Sequence, residues 1–341
     1  VTHGCPTAAF VMNVAAGLQR HWNRIDALTL LLLPLSICYG LIISIRALLY
    51  QLGVFRVQHW NVPVLVVGNL TVGGSGKTPL VIELARGLRA RGWRPGVVSR
   101  GYGGTSEDPT TVTAATDPFL VGDEPVLIAR EAEVPVVVAR KRAKAVDRLL
   151  QEAEVNLVIA DDGLQHLALG RVVEIAVIDG VTGHGNGLLL PAGPLREPLR
   201  RLERVDIRVR RGGQPKEGEY PMSVNASVAR NLVSGQEVEL SEFSGVPVVA
   251  VAGIHQPERF FSTLRNLGLQ IQEKGFSDHH AFQASDIPQA PGRPVLMTTK
   301  DAVKCESFAQ ENWWAVKQVV TIPQELLSNL DELLKRRIHD S

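Results

Sequence analysis

The residues best suited to chemistry gather first at one glycine-rich turn. Val66-Val67-Gly68 ends an apolar run. Thr71, Val72, Gly73, Gly74, Ser75, Gly76, Lys77 and Thr78 follow, ahead of a stretch with leucines at helical spacing. Glycines leave backbone N–H groups free for phosphate oxygens, and a helix N-terminus adds the positive end of its dipole. A turn after a strand and before a helix is the context a triphosphate loop requires. In that reading the amides from Thr71 to Thr78 cradle the phosphates of ATP, Lys77 neutralises the β and γ groups, and Thr78 holds Mg2+ through its hydroxyl. Thr71 stands where G-x-x-x-x-G-K-[ST] places its first glycine, so a slightly unusual loop is expected. A second cluster, Asp161-Asp162, closes the apolar run Val155–Ala160. Paired carboxylates at the end of a sheet strand call for a cation, which makes both candidate metal ligands; a helix N-cap would also account for them. Gln165 and His166 follow within one turn and are candidates for the same pocket.

These groups need a rigid frame. Val62–Gly68, Gly96–Ser99, Val134–Ala139, Val155–Ala160 and Val172–Asp179 read as strands, and Lys77–Arg91, Glu124–Glu131 and Lys141–Glu152 as helices. The alternation predicts an α/β fold with a parallel sheet covered on both faces. Arg211–Gly218, rich in Gly, Pro and charge, reads as a break, and Ser223–Leu240 as a hairpin turning at Ser234-Gly235. Strands at Val246–Gly253 and Val295–Thr299 and helices at Pro257–Leu267 and Gln324–Arg337 predict a second, smaller α/β unit. The expected division is an N-terminal helical segment at 1–55, a P-loop core at 56–211, a hairpin linker at 212–245 and a C-terminal unit at 246–341.

The chain has 341 residues, with Lys+Arg 36 against Asp+Glu 35, so no bulk charge favours nucleic acid. Three distant cysteines, with no CxxC pair, support neither a zinc knuckle nor a redox dithiol. They read as reduced, mostly buried thiols. The residues ahead of Met12 carry no weight in the reading. Ala27–Ile45 is free of charge and close to the length that crosses a bilayer, with Trp22 and Tyr50 as flanking anchors. Basic residues on both sides leave orientation undecided, and both spanning and in-plane anchoring remain open. No N-K-x-D box marks a guanine reader; Thr299-Lys300-Asp301 lacks the spacer. The basic run Arg196–Arg211 is either a solvated face or a cationic rim facing anionic headgroups. A metal-insertion NTPase would need a CxxC or His-rich ligand set, which the sequence lacks. A nucleotide sensor would keep Lys77 without any base.

GGSGKTP, Ser99–Gly104 (SRGYGG), Val121–Pro125 (VGDEP), Asp161–His166 (DDGLQH), Pro191–Pro198 (PAGPLREP), Phe276–His280 (FSDHH) and Thr298–Lys304 (TTKDAVK) occur in the order found in one family. The chain resembles the tetraacyldisaccharide 4′-kinases, the lipid A 4′-kinases of Gram-negative bacteria. The resemblance implies a P-loop α/β domain, a smaller α/β domain and a two-stranded linker. It implies transfer of the ATP γ-phosphoryl group to the 4′-hydroxyl of an acylated glucosamine disaccharide 1-phosphate, giving lipid IVA. It also implies work at the cytoplasmic face of the inner membrane among membrane lipids, with no nucleic acid or protein partner. Carried onto this sequence, Asp123 becomes the base, assisted by His279 rather than His280, and Glu197 a further metal-side carboxylate beside Arg196, which would clamp a phosphate. A helix N-cap is the alternative account of Asp123. Asp123 and His279 belong to different units, so their meeting implies closure over the substrates. For Thr298–Lys304, capping and a surface ion pair are an adequate account, and no catalytic role is assigned.

Overall fold

The computed structural model describes residues 21–288 and 292–339; Cys5 and the rest of the 1–55 segment ahead of His21 lie outside them. In chain order the elements are α1 (Ala27–Gln51), β1 (Val64–Gly68), α2 (Lys77–Arg89), β2 (Pro95–Ser99), β3 (Thr110–Val112), α3 (Pro118–Val121), α4 (Asp123–Ala132), β4 (Val136–Val138), α5 (Arg142–Glu152), β5 (Leu157–Asp161), β6 (Val173–Asp179), β7 (Ile207–Arg211), β8 (Glu219–Asn231), β9 (Glu237–Glu239), β10 (Val248–Ala252), α6 (Pro257–Asn266), β11 (Ile271–Gly275), β12 (Val295–Thr298), α7 (Thr299–Cys305), β13 (Trp313–Thr321) and α8 (Gln324–His339).

The apolar β-branched runs form strands because both faces of the sheet are covered. Along β1, Leu65 and Val67 point into one core with Leu80, Leu84 and Leu88 of α2, while Val64 and Val66 point into another with Val146 and Leu149 of α5. The strand order is β3-β4-β2-β5-β1-β6-β7-β8-β13-β12-β10-β11, with β9 paired to β8. β1 lies between β5 and β6, all parallel, so the phosphate loop and Asp161-Asp162 leave neighbouring strands at the same edge. The second unit carries α6 on one face through Phe260, Phe261 and Leu264, and α7 on the other through Ala302 and Cys305.

The hairpin expected at Ser223–Leu240 forms, with Ala229 opposite Val238 and Gly235 at φ 73° in the turn. Its first strand does more than link. β8 runs parallel to β7 at Glu219–Met222, then antiparallel to β13 from Ser223 onward, so one continuous strand joins the two parts of the sheet. The tail of the basic run is itself a buried strand: in β7, Arg210 is held by Glu219 at 2.5 and 3.0 Å. Grouping residues 246–341 together misplaces α8. Its buried Leu326, Leu327, Leu330 and Leu334 sit in the first core with α2, because burying that stripe requires the apolar face of the P-loop unit.

α1 starts at a capping box, with the Asp26 carboxylate accepting from Thr29 N at 3.0 Å. Its mean hydropathy is 2.3 over an 18-residue window, enough by length and composition to cross a membrane. One side docks near its middle: Ser36 Oγ donates to Leu189 O, Tyr39 OH donates to Arg196 O at 2.9 Å, and Gly40 is so close that a Cβ would lie 2.9 Å from Leu189 Cδ1. The other side exposes Leu31, Leu35, Ile37, Leu41, Ile42 and Ile45. Cys38 shares that exposed side, contrary to the expectation of buried thiols, whereas Cys305 is buried. Trp22, expected as an interface anchor, instead donates its indole N–H to Pro191 O at 3.0 Å.

Candidate active site

The phosphate loop is shaped by two positions that need glycine. Gly73 has φ 115° and Gly76 φ 88°; a Cβ on Gly73 would meet His255 Nε2 at 2.6 Å, and one on Gly76 would meet Arg211 Cδ at 2.6 Å. Thr71, in place of the usual first glycine, bridges to Leu195, and Val72 N donates to Pro194 O at 2.9 Å. The loop is thus clamped from outside by the segment PAGPLREP. Lys77 Nζ reaches back over the mouth of the loop to Asn69 Oδ1 at 3.1 Å and Asp162 at 3.5 Å.

Asp162, with φ 50°, accepts from Arg196 Nη1 at 3.1 and 3.2 Å. Burial works against its ionisation, but Lys77 and Arg196 outweigh burial and hold the carboxyl at about 2. Arg196 also donates to Gln165 Oε1 at 3.3 Å, and Gln165 donates to Asn69 O and Glu197 Oε2 at 3.1 and 3.3 Å. Asp162, Gln165, Arg196, Glu197 and Lys77 therefore form one cluster. Burial raises Glu197 above the usual carboxylate range. Asp161 lies beneath, 2 % exposed, and burial pushes it upward with help from the charges of Glu124 and Asp162. His166 shares the turn, but no hydrogen bond or ion pair joins its imidazole to the cluster among the described residues. Burial and neighbouring arginines, Arg142 first, hold it down at about 4.

A second centre brings together groups more than a hundred residues apart. Asp123 opens α4, 3 % exposed, and His279 Nδ1 lies 3.1 and 3.2 Å from its two oxygens. Gly122, at φ 89°, allows this: a Cβ there would lie 2.5 Å from Tyr102 O, so VGDEP packs directly on SRGYGG. The Tyr102 ring stands 5.0 Å from the His279 ring. His279 itself is held at φ 57°, a left-handed conformation that costs free energy for any side chain with a Cβ and persists only where its surroundings impose it. Burial opposes charge on both partners. The His279 hydrogen bond and the charges of Lys300, His279 and Lys304 nevertheless hold Asp123 below its ordinary value, and Asp123 holds His279 above its own.

Comparison with known proteins fits this arrangement. A family model described as tetraacyldisaccharide-1-P 4′-kinase matches residues 28–335. A tetraacyldisaccharide 4′-kinase of Aeromonas hydrophila is 47% identical over 316 residues, covering 92% of this chain and 94% of the relative. One of Nitrosococcus oceani is 47% identical over 327 residues, covering 94% and 96%. The chain belongs to the tetraacyldisaccharide 4′-kinase family. The crystal structure of LpxK from Aquifex aeolicus in complex with ATP superposes with a TM-score of 0.78 at 32% identity, covering 91% of this chain and 99% of the other.

The donor set of this family member suits a hard divalent cation. Thr78, Asp161, Asp162, Gln165 and Glu197 offer only oxygens, and Ser75 Oγ and Asp161 Oδ1 are buried without a hydrogen-bond partner. Among the described residues no group of three or more His, Cys, Asp or Glu could form an all-protein cage. Mg2+ commonly keeps waters and phosphate oxygens alongside one or two carboxylates, so a Mg2+ here would draw part of its shell from the nucleotide.

Several residues at this kinase-family site escaped the sequence. His255 and Arg211 press on the phosphate loop. Arg259 of α6 grips Asp179 at the end of β6 with bonds of 2.6 and 2.9 Å, tying the second unit to the first. Arg142 is buried under Asp161, donating to its carbonyl at 3.3 Å. Only the R-F-F following Pro257-Glu258, which places Arg259 at the start of an amphipathic helix, gave any local signal.

Proposed function

We propose that this family member is an ATP-dependent kinase that phosphorylates the 4′-hydroxyl of a tetraacyldisaccharide 1-phosphate in lipid A biosynthesis, working in the plane of the cytoplasmic leaflet of the inner membrane. The observation that carries the reading is one loop. Residues 188–196 receive α1 through Leu189 and Arg196, clamp the phosphate loop through Pro194 and Leu195, and send Arg196 to Asp162. A lipid-facing helix and a triphosphate cradle therefore share a support. The helix meets protein on one side, around Ser36, Tyr39 and Gly40, and presents an exposed apolar side opposite, a two-sided arrangement that favours in-plane anchoring over spanning.

Thr78, Asp161, Asp162, Gln165 and Glu197 would hold Mg2+, which would supply charge neutralisation on the β and γ phosphates. Lys77 adds a fixed positive charge at the same place. Arg196, released from part of its contact with Asp162, is placed to clamp a phosphate oxygen. Asp123 accepts the proton of the acceptor hydroxyl, and His279 orients that carboxylate and shares the proton. Because His279 comes from the second unit, the base pair is complete only with the two units together, and water is excluded from the same space.

The deciding experiment supplies γ-labelled ATP with and without purified tetraacyldisaccharide 1-phosphate in mixed micelles. Label is expected in the glycolipid, with ATP consumed only when acceptor is present. ATP consumption independent of acceptor, with no labelled lipid, would rule out the kinase reading.

The basic run also makes a membrane prediction. Arg201 is engaged by Glu174 at 2.5 Å and Glu197 at 3.7 Å, but Arg200 and Arg204 are exposed. They line a cleft of about 350 Å3 against Ile43, Ala47 and Leu48 of α1. Neutralising Arg200 and Arg204 is expected to weaken binding to anionic vesicles by roughly 30-fold at low salt, at about 1 kcal/mol per charge, and less so at high salt. Sedimentation that is identical for both proteins at low salt would leave these arginines a solvated face.

A further inference from the structure

Thr298–Lys304 is the motif that the phosphoryl-transfer reading leaves unused, and it is not a surface feature. Thr298 caps α7 by accepting from Asp301 N at 3.1 Å, but Asp301 is 0 % exposed. Its Oδ2 accepts from Gly253 N at 2.9 Å and from the Thr298 hydroxyl at 2.7 Å, anchoring it to the end of β10. Lys304 Nζ lies 2.9 Å from Asp301 Oδ1 and 3.7 Å from Asp123 Oδ2, buried and in hydrogen-bond alignment with neither. One turn earlier on the same face of α7, Lys300 Nζ lies 4.0 Å from Asp123, 3.1 Å from Glu124 and 3.2 Å from Asp278.

A buried ammonium is costly unless carboxylates surround it. Lys300 already has two other acidic partners, whereas Lys304 is balanced between Asp301, fixed within its own unit, and Asp123, which belongs to the other. The charged groups facing Asp123 are His279 and Asp278 from the loop after β11, Lys300, Asp301 and Lys304 from α7, and Glu124 from its own helix.

We propose that Lys304, supported by Lys300, is a positioning residue of the phosphoryl transfer: its ammonium fixes the Asp123 carboxylate against His279, so that the base is competent only while α7 is seated on α4. The inference rests on the reading of Asp123 as the base. Asp301 is the strut that sets the height of the ammonium, through Thr298 and Gly253.

The test is the pH dependence of kcat/KM for the full-length enzyme with ATP and tetraacyldisaccharide 1-phosphate. Without the Lys304 charge, both Asp123 and His279 bind protons more readily. The acid limb of the Lys304→Met profile should therefore move upward by about one pH unit, with a loss of roughly 10-fold near neutrality that shrinks at alkaline pH. KM for ATP should stay within about twofold, since Lys304 touches no phosphate-loop residue. Lys304→Arg keeps the charge and should hold the limb near its wild-type position. Lys300→Met, at a less buried site, should move the limb the same way by less, and carries the same readout if Lys304→Met does not fold. A uniform loss at every pH, or equal loss in Lys304→Met and Lys304→Arg, would make the lysine mere structural glue and overturn the proposal. Asp123→Asn separates the two levels: full turnover in that variant defeats the base reading itself, whereas its inactivity beside an unmoved limb in Lys304→Met defeats the lysine inference alone.

Discussion

An Asp123→Asn enzyme is expected to turn over roughly 10²–10⁴-fold more slowly than wild type, the usual worth of a positioned base, with ATP affinity nearly unchanged. Asn has the same shape, so its side-chain oxygen still accepts from Glu124 N, as the carboxylate does at 2.9 Å. What disappears is the proton acceptor and the anion that orients His279. The variant should also lose stability in a defined pH window. Asp123 is held below its ordinary value, so its contribution is present above about pH 4 and lost as pH falls through the lowered value. His279 is held above its ordinary value, so its contribution is full below about pH 6.5 and lost as pH rises through the raised value. The melting-temperature gap between the two proteins should therefore be widest between these limits, close as pH falls through the lowered Asp123 value, and narrow toward alkaline pH to the part that Lys300 and Lys304 sustain. Initial rates of lipid phosphorylation, with nucleotide binding measured separately, check the claim. A variant within tenfold of wild type would remove Asp123 from the role of base.

Lys77→Ala is the second large effect. The lysine is held in place before ATP arrives, by Asn69 Oδ1 at 3.1 Å and Asp162 at 3.5 Å, so little reorganisation is needed when the triphosphate binds. Losing one such preorganised charge is expected to cost about 10²–10³ in kcat, or roughly 2.7–4 kcal/mol of transition-state stabilisation. Removal also leaves Asp162 with Arg196 as its near cation, so its carboxyl should rise from about 2. Lys77→Arg should not restore activity, because a planar fork cannot occupy the position of a point charge between Asn69 and Asp162. Turnover and nucleotide affinity measured on both variants decide the matter; wild-type kcat in Lys77→Ala would mean that the loop does not hold the reacting phosphates.

Elements that announce themselves locally were legible. β1, α2 and β5 are uninterrupted apolar or periodic runs bounded by glycine or acid, and the phosphate loop lies between the first two. β7 was missed because Ile207-Arg208-Val209-Arg210-Arg211 alternates apolar with basic residues and sits in an arginine-rich stretch. Its buried charge makes sense only once Glu219 of β8 is beside it. α8 was recognised as a helix but assigned to the wrong core, since amphipathicity states that a face is buried and not against what. At the candidate site, spacing pointed to Lys77, Thr78 and the Asp161-Asp162 pair, and the structure brings Lys77 within 3.5 Å of Asp162. The Asp123–His279 contact joins residues far apart in the chain and was reached through the family resemblance. The approach of His255, Lys300 and Lys304 was beyond any local pattern, because each depends on how the second unit sits over the first; that of Arg211 depends on where β7, itself unrecognised, lies in the sheet.

The loop at 188–196 has a geometric consequence. It braces α1 on one side and Val72 on the other, so the separation between the exposed apolar helix and the phosphate loop is set by a single segment and is a built-in constant. The sugar then has to be presented at that one altitude. Under the proposed in-plane anchoring, the enzyme is expected to act as a fixed-depth gauge, accepting hydroxyls that stand at the right elevation over their chains and passing over those buried deeper or held further out.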